Sequence, residues 1–135
     1  MSNEITPVKV NPYAEIKTLF DGFTVDGVTV AVAMLYYQGH GEPYMVYTQY
    51  DTDNSYSVDD EIEGYVIYFD FDIYSKGNYL AIVEAVKAKM KSIGWTWQVS
   101  RDSPAMYEVD TGYFHKTLCF ARPIQEVEIE AENTK

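Results

Sequence analysis

Cysteine is almost missing from this sequence: Cys119 stands alone, which excludes a disulfide framework within the chain and any metal site built from several thiolates. Long apolar runs are missing as well. None approaches the ~20 residues that a membrane-spanning helix needs, and Met1-Ser2-Asn3-Glu4-Ile5-Thr6 has neither the basic start nor the apolar core of a secretory signal. Basic residues are scarce, with 10 Lys and Arg against 21 Asp and Glu and a formal net charge of −11. A surface of that sign repels phosphate backbones and anionic bilayers, which argues against a nucleic-acid reader or a lipid-docking protein. The expectation is a soluble protein made in the cytoplasm, with no membrane contact and no specific nucleic-acid binding.

What is present suits one folded domain. The 135 residues are 47% apolar, enough for a sizeable core and too few for two domains. Thirteen are Tyr, a residue favoured in strands and at protein–protein contacts. Asn11-Pro12 makes a helix start, and Ile16, Leu19 and Phe20 at helical spacing predict a short helix over 12–21 that Gly22 stops. Asp26-Gly27 is a turn signal; the near-continuous apolar stretch 28–37 predicts a strand buried on both faces, broken by Gly39-His40-Gly41-Glu42-Pro43. A second strand is expected over 44–50, followed by a polar surface loop over 51–60.

The stretch from Glu61 to Ser75 alternates clearly. Tyr65, Ile67, Phe69, Phe71 and Ile73 share one face, and Tyr68, Asp70, Asp72 and Tyr74 the other. Fifteen strand residues span roughly 50 Å, whereas a domain of this size has a radius of gyration near ~14 Å. Such a strand must bend, most readily at Gly64, or project as an arm. Asn78 is placed to cap a helix carrying Tyr79, Ile82, Val83, Val86, Met90 and Ile93 on one face, its Lys residues towards the C-terminal end and Gly94 as its stop. Strands over 95–99 and 112–121 follow, around Arg101-Asp102-Ser103-Pro104. Pro123 is expected to end the core at about residue 122, leaving 123–135, with Glu126, Glu128, Glu130 and Glu132, as an acidic tail. The fold class is α+β: a mainly antiparallel sheet with a short N-terminal helix and one long amphipathic helix.

No reactive constellation emerges. Asp51-Thr52-Asp53-Asn54-Ser55 resembles the start of a calcium loop, but the sixth and twelfth positions are Tyr56 and Ile62, where Gly and Glu are required. His40 and His115 have no ligand cluster around them. His115 and Cys119 on one strand lie about 13 Å apart, too far for a thiolate pair. Asp70 and Asp72 are a possible acid–base pair, yet nothing in the sequence builds a cleft around them, and a solvated or inter-subunit face fits them better. Phosphate loops, nucleophile elbows and dinucleotide fingerprints are absent. The expectation is a protein without catalytic, cofactor-binding or metal-binding residues.

The order of segments does resemble a known group. Pro43-Tyr44-Met45-Val46-Tyr47, the loop ending Tyr56-Ser57-Val58-Asp59-Asp60-Glu61, Phe71-Asp72-Ile73-Tyr74-Ser75-Lys76, the helix after Leu80, Tyr107-Glu108-Val109-Asp110-Thr111-Gly112-Tyr113 and His115-Lys116 are similar to the tail-completion (tail-terminator) proteins of long-tailed bacteriophages and prophages. The likeness runs over about residues 12–122. It implies a virion structural protein, without enzymatic activity, forming a homo-oligomeric ring (commonly a hexamer) at the head-proximal end of the tail. Its partners would be other copies of itself, the tail tube protein and a head–tail connector protein, with DNA passing through the lumen. Tyr47, Tyr56, Tyr68, Asp70, Asp72 and Tyr74 are the candidate subunit-interface residues. A head-closure or adaptor protein of the connector is the nearest alternative, and an acidic DNA-mimic inhibitor a more distant one.

Overall fold

A computed structural model describes residues 11–58 and 61–125, with backbone alone for 50–58, 61–65 and 124–125. The chain begins with helix α1 (Pro12–Leu19). The Asn11 side chain accepts a hydrogen bond from the Ala14 N–H at 3.2 Å, and Pro12 opens the helix, where its missing donor costs nothing. A small hairpin follows, β1 (Thr24–Val25) and β2 (Val28–Thr29), turning through Asp26 and Gly27 at φ 53° and 80°. Then come β3 (Ala31–Met34), β4 (Tyr44–Val58), β5 (Glu61–Ser75), helix α2 (Tyr79–Ser92), β6 (Thr96–Trp97), a 3₁₀ turn at Val99–Arg101, β7 (Met106–Tyr107) and β8 (Phe114–Gln125). The class is α+β, as the sequence predicted.

Among the described residues six strands form the main sheet, in the order β3-β4-β5-β8-β6, with β7 joining β6 on the same side of β8. All pairings are antiparallel except β3 with β4. The period-2 pattern of β5 has its predicted consequence: Ile67, Phe69, Phe71 and Ile73 are buried on one face. Ile82, Val83, Val86 and Met90 of α2, Ile16 and Phe20 at α1, and Leu118 and Phe120 of β8 belong to the same core. Phe71, fully buried, lies 5.5–5.9 Å from the rings of Phe20, Tyr47 and Phe120. Gly94, at φ 92°, ends α2 as expected. Asn78 stands at the N-cap of α2 as expected, but its side chain makes no capping bond; its amide donates to Asp26 Oδ2 instead.

Three expectations are corrected. The stretch 28–37 is not one strand buried on both faces. It is divided between β2 and β3, and β3 is an edge strand whose end and continuation, Met34, Leu35 and Tyr36, are exposed. A parallel neighbour normally needs a crossover of a dozen or more residues. Here residues 35–43 make the return, and Leu35 takes a left-handed φ of 70° to begin it. Secondly, 51–58 is strand: β4 runs to Val58 and pairs with β5 along its whole length. Polar side chains do not oppose this, because a ladder satisfies the backbone whatever its faces carry. Thirdly, Pro123 does not end the core; β8 passes through it to Gln125, and Pro123 lies opposite Val66.

The long hairpin contains irregularities where bending was expected. Register shifts flank the Tyr56–Gly64 pair, and a further one lies between Gln49 and Asp51. Partner strands also thin out along it. β3 pairs β4 only from Tyr44 to Tyr47, and β8 pairs β5 only as far as Gly64. Beyond those points the two arms of the hairpin pair, among the described residues, with each other alone.

Candidate functional site: the outer sheet face and its two edges

The face of the sheet opposite α2 carries the residues singled out from the sequence. Strand pairing sets Asp70 opposite Cys119, Asp72 opposite Thr117 and Tyr74 opposite His115. Asp72 Oδ1 accepts a 2.6 Å hydrogen bond from the Thr117 hydroxyl and lies 3.8 Å from His115 Nε2. The other imidazole nitrogen, Nδ1, is 3.7 Å from Glu108 Oε2. His115 stacks on Tyr74 at 4.1 Å, and Tyr74 stacks on Tyr44 at 4.5 Å. Tyr113 meets both tyrosines edge-on.

The loop 35–43 folds over the end of this stack. The Tyr113 hydroxyl donates to the Glu42 carbonyl and accepts from the Gly41 N–H, and the Tyr37 hydroxyl donates to the Glu42 carboxylate. Gly39 is required by this packing. A Cβ there would fall 2.4 Å from a ring carbon of Tyr44 and 2.7 Å from the Tyr113 hydroxyl.

The two aspartates sit in different electrostatic surroundings. Burial pushes Asp70 above the ordinary carboxylate range, partly opposed by the Cys119 thiol donating to it. Burial acts on Asp72 as well, but the imidazole of His115 close by and the hydrogen bond from Thr117 outweigh it and hold that carboxyl below its ordinary value. Cys119 is pushed up to about 12, by burial first and then by Asp70, so it remains a protonated, inert thiol at neutral pH. Tyr44 is likewise raised to about 12 by burial and its tyrosine neighbours. The Thr117 hydroxyl is committed to Asp72. Among the described residues no group of three or more His, Cys, Asp or Glu is placed to hold a metal ion. Chemically, this arrangement ties the sheet face together through hydrogen bonds and stacked rings.

Of the six candidate interface residues, Asp70, Asp72 and Tyr74 come together here, half-buried, and Tyr68 lies beneath the Arg101 guanidinium at 4.0 Å. Tyr47 does not join them. It points to the core face, 4% exposed, against Tyr13 and Phe71, because in β4 it alternates with Tyr44 and not with Met45. The Tyr56 backbone lies opposite Gly64 in the hairpin, and its side chain is outside the described residues.

Sequence reasoning missed the most exposed apolar groups. Ten large hydrophobic side chains are exposed among the described residues, and eight of them fall on two opposite edges of the main sheet. Met34, Leu35 and Tyr36 follow the β3 edge. Trp97, Val99, Met106, Tyr107 and Val109 follow the β6–β7 edge. The available signal was an apolar run abutting the glycine break at Gly39, too close to it to continue as a buried strand. Beside β6 a groove of about 290 Å³ is lined by Lys87, Lys91, Trp95, Thr96, Trp97 and Phe120. Lys87 lies over the Trp97 ring at 3.8 Å and pairs with Glu84 at 2.9 Å.

No family model matches the chain, and neither does any curated protein with which it was compared.

Proposed function

We propose that the chain is a virion structural protein of a long-tailed bacteriophage or prophage that completes the tail tube and, as a ring, forms the surface joining tail to head. The observation that carries this reading is the placement of exposed apolar side chains on opposite sheet edges, Met34, Leu35 and Tyr36 on one and Trp97, Met106 and Tyr107 on the other. Monomeric proteins rarely leave such patches uncovered. Two different patches on opposite sides of one subunit suit a head-to-tail contact, which closes into a ring when the rotation allows. The long hairpin, with strand partners along only part of its length, supports the same reading as a projecting element that reaches a neighbour or the tube.

The charge fits as well. Copies each bearing −11 would repel passing DNA and keep the channel from binding it where part of that charge lines the lumen. Other copies of the chain, the tail tube protein and a head–tail connector protein are the partners this reading requires, and no catalysis is involved. Light scattering on the purified chain, followed by imaging of tail tubes mixed with it, tests the proposal. Rings, or density capping one tube end, are expected. A single chain that leaves tube ends bare overturns the reading, and binding to the connector without binding to tubes moves the protein to the head-closure position.

A further inference from the structure

The groove beside β6 combines an apolar floor, Trp95, Trp97 and Phe120, with a rim of two ammonium groups, Lys87 and Lys91. Lys91 is exposed and has no ion-pair partner among the described residues. In a chain with twice as many acids as bases, this is an uncommon place to find uncommitted positive charge. The outer edge of β6 is also unpaired among the described residues, since β6 pairs only with β8. An extended segment that alternates acidic and apolar residues matches both features. It can add to the free edge, seat its apolar side chains on the tryptophans and bring carboxylates to the lysines.

Outside residues 11–125 the chain contains one such segment. Residues 126–132 read Glu126-Val127-Glu128-Ile129-Glu130-Ala131-Glu132, a strict period of two with four acids. The same chain's groove is poorly placed to receive it. Phe120 is level with Trp97, and β8 runs on from there to Gln125, about 17 Å further at ~3.3 Å per residue. Returning would take a tight reversal, and 126–132 contains no Gly, Pro, Asn or Asp to make one.

We propose that segment 126–132 of one copy docks as an added strand in the β6 groove of the next copy, along the free edge of β6 and beside the lysines at positions 87 and 91. This rests on the ring reading and specifies what links its subunits. The test uses full-length chain, mixing isotopically heavy and light protein, joining neighbouring Lys and Glu with a zero-length carbodiimide reagent, and locating the links by mass spectrometry. Links from Lys87 or Lys91 to Glu126, Glu128, Glu130 or Glu132 are expected between heavy and light chains. They should fall at least tenfold in Val127→Asp/Ile129→Asp protein. Lys89, turned towards the Leu19 carbonyl and the Phe23 ring, should form none.

Ring-sized particles without these links, or with links only inside one chain, overturn the docking and leave the ring standing. A single-chain mass with no heavy–light links overturns both. Charge exchange gives a second arm. Lys91→Glu should weaken assembly about tenfold and Lys91→Glu/Glu128→Lys should restore it; equal assembly in all three proteins contradicts the proposal.

Discussion

The core face of β5 and the two edges of the sheet use the same kinds of side chain to opposite ends. Phe69, Phe71, Ile73, Met45 and Trp95 are almost fully buried, while Met34, Leu35, Tyr36, Trp97 and Met106 are 39–73% exposed. The difference lies in position. The first set belongs to the central strands and to Trp95 just after α2, all within the core cluster; the second belongs to short edge segments that no further strand covers among the described residues. Burial of the first set stabilises the monomer. Exposure of the second has no such benefit, and it makes sense where a partner covers it. Substitutions in the core should therefore change stability with the edges unaltered, and substitutions at the edges should do the reverse.

The largest effect is expected from Phe71→Ala, which removes a fully buried ring contacted by three others. It should cost about 3–5 kcal/mol in denaturant unfolding. Next comes Asp72→Asn, which weakens the hydrogen bond from Thr117 and the contact with His115, at about 1–2 kcal/mol at pH 7. Because the folded carboxyl is held below its ordinary value, its contribution is present above the unfolded pKa, ~3.9, and is lost as pH falls through the folded value. The gap in Tm between wild type and Asp72→Asn should close over that acid range.

Leu35→Gly sharpens the comparison from the other side. Relief of the left-handed backbone at φ 70° should stabilise the monomer by about 1 kcal/mol, while loss of an exposed side chain weakens assembly. A thermal melt and a light-scattering measurement on one sample check both halves. The smallest effect is expected at Asp70, which is raised by burial. An acid with a raised folded pKa destabilises above that value, and the cost is relieved as pH falls through it towards the unfolded pKa. Asp70→Asn should therefore unfold at a slightly higher temperature than wild type at pH 7, with the difference shrinking in acid. Neighbouring aspartates would then respond to the same change with opposite signs.

Much of this fold was legible in the sequence because one pattern dominates it. The alternation through Tyr68-Phe69-Asp70-Phe71-Asp72-Ile73-Tyr74 identifies both the strand and its buried face, and the helical spacing of Ile82, Val83, Val86 and Met90 identifies what covers it. Local pattern was less informative where pairing decides the structure. The polar residues of 51–58 look like a loop, yet they form strand because β5 lies opposite to pair them. The apolar residues of 28–37 look buried, yet they reach the sheet edge, where no further strand covers them among the described residues. The candidate site was half visible for the same reason. Asp70, Asp72 and Tyr74 share a face by periodicity, whereas Glu108, Thr117 and the loop carrying Glu42 reach that face only through long-range contacts.

The central claim is that both apolar edges lie in the subunit contacts of a ring, and the mass of the assembled particle tests it most directly. Light scattering on wild type beside Tyr36→Ser and Tyr107→Ser, with and without purified tail tubes, should give a closed multiple of the 15.5 kDa chain for wild type. Each edge variant should lose that particle while keeping its melting temperature. A mass of one chain for wild type under every condition, or particles that survive both substitutions unchanged, would contradict the account.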